Sequence, residues 1–193
     1  MKDTKVKNLI DAEKKRQKKV INLIASENIV SKDVLTALGS ELTNKYSEGY
    51  PGKRYYGGNE IIDQVEQLAI DRALKLFKLD KNKWHVNVQA LSGSPANFCI
   101  YSSLIPPTFG KDGQPTRKIM GLKLTNGGHL THGHPASFTG KLWKSVQFEV
   151  DPTTEQIDFE KLEKLAIQEK PDLIVAGFTA YPREVDFKKF RAI

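Results

Sequence analysis

The chain has 193 residues, with 30 Lys+Arg against 23 Asp+Glu, 39% apolar and 9% aromatic residues; that suffices for one sizeable core and excludes a disordered or fibrous chain. Its most apolar run, Leu173 to Phe178, is far short of the roughly 18 apolar residues of a membrane helix, and no signal-peptide block opens it, so a soluble protein outside the membrane is expected. Of the net charge of +7, residues 1–20 hold eight basic and three acidic side chains, a solvated helix face without the aromatic platform that stacks bases, which argues against nucleic acid as the main partner.

In chain order, Val6, Leu9 and Ile10 begin an amphipathic arm helix that ends before Asn22. Ser31 is placed to cap a short helix carrying Val34, Leu35 and Leu38, stopped near Gly39. Asn59 is placed to cap the strongest helix, whose Ile61, Ile62, Val65, Leu68, Ala69, Ala73, Leu76 and Phe77 recur at helical steps and predict one face packed on a core. Val86 to Gln89 reads as a strand, Pro95 to Leu104 as a helix, and Pro106 to Arg117 as a turn-rich surface loop. Lys118 to Leu122, Val146 to Val150 and Leu173 to Gly177 read as strands, with a helix from Asp158 to Glu169 and another opening at Asp186. Strand and helix alternation of this kind predicts an α/β sandwich around a mostly parallel sheet. The only cysteine, Cys99, rules out an intramolecular disulfide and suits a reducing, cytoplasmic compartment.

Three segments carry residues suited to chemistry. NVQALSGSPAN (Asn87 to Asn97) sets Ser92, Gly93 and Ser94 between a strand and a helix start, where free N–H groups and the helix dipole favour a phosphate; an ordinary capped turn is the alternative. Neither the dinucleotide nor the nucleoside-triphosphate glycine fingerprint is present. GGHLTHGHP (Gly127 to Pro135) holds three histidines, but no carboxylate lies nearby and the spacing fits no standard zinc pattern, so no metal is expected. An imidazole held against a flat conjugated ligand is the better functional reading, with His132 and His134 as buried structural histidines in the alternative. YSEGYPGKRYYGG (Tyr46 to Gly58) packs four tyrosines, a carboxylate, two bases and four glycines into a tight loop, a composition for proton transfer, for a subunit interface, or for both.

Together with LIASENIVS (Leu23 to Ser31) and AGFTAYPREVD (Ala176 to Asp186), these segments strongly resemble serine hydroxymethyltransferase, in the family's order and from end to end. The resemblance implies the fold-type I, aspartate-aminotransferase-like architecture, a three-layer sandwich with a mostly parallel sheet, here incomplete. Residues 1–45 would be an N-terminal arm and residues 46–193 the first part of the large pyridoxal-phosphate-binding domain. It implies pyridoxal 5′-phosphate as cofactor, tetrahydrofolate as cosubstrate, serine and glycine as substrates, and a homodimer with shared active sites, with pairing into tetramers left open. Ser92, Gly93 and Ser94 would hold the cofactor phosphate, helped by Tyr46 of a neighbouring subunit. His129 would lie over the pyridine ring, and Thr179 would sit near its phenolic oxygen, where the family more often has Ser. Ser26 would contact the amino-acid substrate. Glu48 and Tyr56 would handle the substrate hydroxyl and the proton movements of C–C cleavage, which makes them, with His129, the implied catalytic residues. Tyr55, Glu48, Leu124, Gly128, His129 and Leu130 would line the folate site.

The departures are equally specific. The family's cofactor lysine follows a run of threonines and a histidine, and no such motif occurs here. The Asp that pairs with the pyridinium nitrogen and the Arg that clamps the substrate carboxylate also belong to later sequence. The helix that opens after Asp186 has run only two turns at Ile193. The expectation is therefore an N-terminal portion, inactive when isolated. A shortened homologue acting as a binding module is the rival reading, and RNA binding through the basic arm, with its steep salt dependence, a third.

Overall fold

The computed structural model describes residues 1–193. Asp3 opens the first helix by accepting the Val6 N–H, and α1 (Thr4–Gln17) ends with Lys14, Lys15 and Arg16 where the helix dipole favours cations. Ser31 likewise accepts from the Val34 N–H to start α2 (Lys32–Leu38), which Gly39 closes, as its sequence predicts. A hairpin follows, β1 (Gly49–Tyr50) against β2 (Lys53–Arg54), turned by Pro51 and by Gly52 at φ 72°. Next come α3 (Glu60–Leu76) and α4 (Gly93–Leu104), the latter starting two residues before the predicted Pro95.

Three expectations fail in this region. Val86 to Gln89 forms no strand: the Asn87 side chain accepts the Gln89 N–H, a local turn that competes with any ladder. The apolar stripe of α3 is not packed on a core; only Leu74 is buried, while Ile61, Leu68 and Leu76 are 62%, 48% and 75% exposed. Polar bonds rather than apolar burial tie this helix to its surroundings. Asn59 stands at its N-cap position, but its Nδ2 donates to the Tyr56 carbonyl instead of capping a helical N–H.

The remaining elements are β3 (Lys118–Leu122), α5 (Thr139–Leu142), β4 (Lys144–Phe148), α6 (Phe159–Glu169), β5 (Leu173–Ile174) and α7 (Phe187–Ala192). The three strands form a parallel sheet in the order β4-β3-β5, which agrees with the α/β expectation. Strand β4 begins two residues early because Lys144 to Phe148 pair in register with Lys118 to Leu122, whereas Val150 bridges back to Ile157. β5 is short: Val175 still donates to the Met120 carbonyl, then the chain leaves the sheet. Asp158 and Asp186 each accept two N–H groups to start α6 and α7.

The chain divides into two compact units, Met1–Asn28 with Leu104–Ile193, and Ile29–Ser103. In the first, Met120, Leu122, Val146, Phe148, Ile157 and Leu162 make the core, extended by Phe159, Phe178 and Phe190, whose rings meet edge-on or tilted within 5.2–6.3 Å. Elsewhere in the same unit Trp143, fully buried, donates its indole N–H to the Ile105 carbonyl at 2.7 Å. No helix is long and apolar enough to cross a membrane.

Candidate active site

The carboxyl ends of the parallel strands are where α/β sheets present functional loops, and two of the predicted segments meet there. After β3 the chain turns through Leu124–Asn126 to Gly127, at φ 99°, whose carbonyl accepts both the Thr179 N–H (2.9 Å) and the Ala180 N–H (3.0 Å) arriving from β5. Gly127 has no room for a side chain, since a Cβ would lie 2.5 Å from the Tyr181 nitrogen. At Gly128 a Cβ would overlap the Leu122 carbonyl oxygen. These contacts set His129 close beside the sheet edge and bring Thr179 to the same place.

Around His129 the hydrogen bonds fix the imidazole chemistry. Its Nδ1 accepts the Thr131 N–H at 3.1 Å, so the neutral ring carries its proton on Nε2. The backbone N–H of His129 donates to Nδ1 of His132 at 3.2 Å, and the two rings meet edge to face at 5.9 Å. His132 is 3% exposed. Burial, and then the neighbouring His129, pull its pKa from 6.5 to about 4 against the opposing hydrogen bond to the Leu122 backbone. The structural reading of His132 therefore holds. His134 accepts the Ala136 N–H on its own Nδ1. Leu124, Asn126 and Gly127 line a groove of about 520 Å³ with Tyr181 and Arg183. Leu130 is partly exposed one residue beyond His129, and Ser26 lies in an exposed turn after α1 in the same unit.

The second unit holds the other predicted residues. Tyr46 donates its hydroxyl to Glu48 at 3.1 Å, and that bond to a carboxylate raises the phenol's pKa. The Tyr46 and Tyr56 rings pack edge to face at 5.3 Å, and the Tyr55 N–H bonds the Glu48 carbonyl. All four side chains stay open to solvent on the hairpin. Gly93 and Ser94 begin the twelve-residue α4, Ser92 directly precedes it, Pro95 has no N–H, and the Ala96 N–H donates to the Ser92 carbonyl. Gly93 and Ser94 stand in the first turn of α4, whose N–H groups have no carbonyl four residues back within the helix, and a Cβ at Gly93 would meet nothing within 4 Å.

A group missed in the sequence holds this unit together. Arg54, with its side chain only 5% exposed, donates to Asp63 (2.8 Å), to Glu66 (2.5 Å) and to the Ser47 and Gly49 carbonyls. The Gly52 N–H and then Arg54 lower the pKa of Asp63. Asp63 and Glu66 stand three residues apart, on one face of α3, and that spacing was the available signal.

A family model for serine hydroxymethyltransferase matches residues 1–193. The chain is 54% identical to serine hydroxymethyltransferase of Phytoplasma australiense across all of its length and 44% of that protein. It is 52% identical to the Caenorhabditis elegans enzyme of that name over 99% of this chain and 37% of the relative. With the Lactobacillus gasseri enzyme of that name the identity is 53%, over 95% of this chain and 42% of the relative. The chain thus spans about two fifths of the length of these relatives.

Proposed function

Since the chain belongs to the serine hydroxymethyltransferase family, we propose that its residues bind pyridoxal 5′-phosphate and serve transfer of the serine hydroxymethyl group to tetrahydrofolate, giving glycine and 5,10-methylenetetrahydrofolate. The observation that carries the reading is the convergence of the His129 and Thr179 segments on the Gly127 carbonyl at the carboxyl edge of a parallel sheet. The architecture we infer is the fold-type I, aspartate-aminotransferase-like sandwich, with residues 1–45 as an arm and 46–193 as the first part of the cofactor domain. A cytoplasmic homodimer is its proposed setting.

The residues fit the cofactor. An anionic phosphate matches the Gly93 and Ser94 N–H groups and the Ser92 and Ser94 hydroxyls, with Tyr46 as a further donor from the neighbouring subunit. A hydrogen-bonded imidazole at His129 suits contact with a pyridine ring, and the Thr179 hydroxyl suits its phenolic oxygen. When bound, the cofactor supplies the electron sink for cleavage beside the substrate nitrogen. Glu48 accepts a hydrogen bond from a hydroxyl in its contact with Tyr46, and we assign it the substrate hydroxyl with Tyr56 beside it. Ser26 is assigned to the amino acid. Tyr55, Glu48, Leu124, Gly128, His129 and Leu130 are assigned to the folate.

The test uses pyridoxine 5′-phosphate, which keeps the ring and phosphate but lacks the aldehyde that would label surface lysines. Calorimetric titration of the 193-residue chain should show binding that inorganic phosphate competes. The Ser92→Ala/Ser94→Ala variant and the His129→Ala variant should each weaken it. Binding unchanged in both variants would overturn the assignment.

A further inference from the structure

We propose that Gln89 is a positioning residue that couples the phosphate cradle at the start of α4 to the tyrosine-rich hairpin. Its Nε2 donates one N–H to the Gly49 carbonyl and the other to Glu66, both at 2.8 Å. The second carboxylate oxygen of Glu66 accepts from Arg54, and Arg54 also donates to the Gly49 carbonyl, so Gln89, Glu66, Arg54 and Gly49 close a ring of hydrogen bonds. The two acceptors at this point call for a group with two N–H donors, which the Gln89 amide has; a carboxylate would face Glu66 and a carbonyl, and a thioether donates nothing.

The hairpin end of the link is stiff, and the cradle end is short. Gly49 sits at φ 103°, and the Lys53 carbonyl oxygen occupies the place of a Cβ, so the hairpin cannot slide there without breaking its pairing. At the other end the Gln89 N–H is held by Asn87, and only Ala90 and Leu91 separate Gln89 from Ser92. Displacement of the cradle is therefore transmitted to Gly49 and, through Arg54, to Asp63 and the Gly52 N–H. The inference rests on the cradle and hairpin being parts of the cofactor site, as proposed above. With the hairpin serving the neighbouring subunit, the link runs from one site of the dimer to the other.

Hydrogen exchange on the 193-residue chain tests the coupling in two arms. Without ligand, Gln89→Met, which keeps the side-chain volume and removes both bonds, should speed exchange of the Gly52 and Tyr55 amides about tenfold. Gln67→Met, which removes an exposed bond to Asp71 on α3, should leave them unchanged. With saturating pyridoxine 5′-phosphate, the wild-type chain should slow exchange at Gly93, Ser94, Gly52 and Tyr55 together. In Gln89→Met the cradle amides should still respond and the hairpin amides should not, a loss of coupling that a merely structural role would not produce. Equal hairpin exchange in Gln89→Met and Gln67→Met without ligand overturns the proposal, as does a hairpin response that survives in Gln89→Met. A ligand that slows no cradle amide overturns the cradle reading instead, while the ligand-free arm still decides the link.

Discussion

Replacing Gly127 by alanine attacks the point on which the candidate site is assembled. Two costs add there. A left-handed φ of 99° costs an L-residue about 1–2 kcal/mol, and a methyl group 2.5 Å from the Tyr181 nitrogen forces a backbone shift of the overpacking kind, about 1–3 kcal/mol. Gly113 provides the comparison: it has φ 74° but nothing within 4 Å of a Cβ, so Gly113→Ala should cost only the first part, about 1–2 kcal/mol. Gly127→Ala should therefore destabilise by about 2–5 kcal/mol in urea unfolding. It should also speed exchange of the Thr179 and Ala180 amides, which bond the Gly127 carbonyl. Equal losses in the two variants, or unchanged exchange at Thr179 and Ala180, would refute the close approach and with it the convergence of the two segments.

Three further outcomes follow from the same geometry. Trp143→Phe leaves the Ile105 carbonyl without its indole donor and should cost about 1–3 kcal/mol in thermal unfolding. Because His132 has a folded pKa of about 4, below its ordinary 6.5, the unfolded chain binds more protons between those values. Stability should then fall as pH drops from 6.5 to 4, by on the order of 2 kcal/mol after solvent screening; a His132→Asn variant, followed by urea unfolding at several pH values, should lose that part of the slope. His129→Ala should weaken pyridoxine 5′-phosphate binding about two- to tenfold more than His134→Ala in calorimetry, as expected for loss of one ring contact.

Elements whose signals are local were legible in the sequence. Ser31 and Asp186 cap the helices their side chains announce, the helix read from Asp158 starts one residue later with Asp158 as its cap, and the run Lys118 to Leu122 is a strand over its full predicted length. Boundaries set by pairing were not: β4 starts where its register with β3 requires, and β5 stops where the chain turns toward Gly127. The Val86 to Gln89 strand failed because an asparagine one residue into it offered its own side chain to the backbone. For the proposed site, glycine, serine, histidine and tyrosine chemistry marked the three segments, and the roles assigned to single residues came from the family resemblance. The meeting of Thr179 with Gly127, and the bonds from Gln89 to Glu66 and Gly49, span 52, 23 and 40 positions, which no local pattern encodes.

The claim that this chain supplies the cofactor's phosphate and ring contacts is tested most directly by nuclear magnetic resonance of the 193-residue protein titrated with pyridoxine 5′-phosphate. The Gly93 and Ser94 amides and the His129 ring protons should shift together, with one dissociation constant, while the His134 ring stays unchanged. Shifts confined to surface lysines, or no shift at Gly93, Ser94 and His129 at saturating ligand, would contradict it.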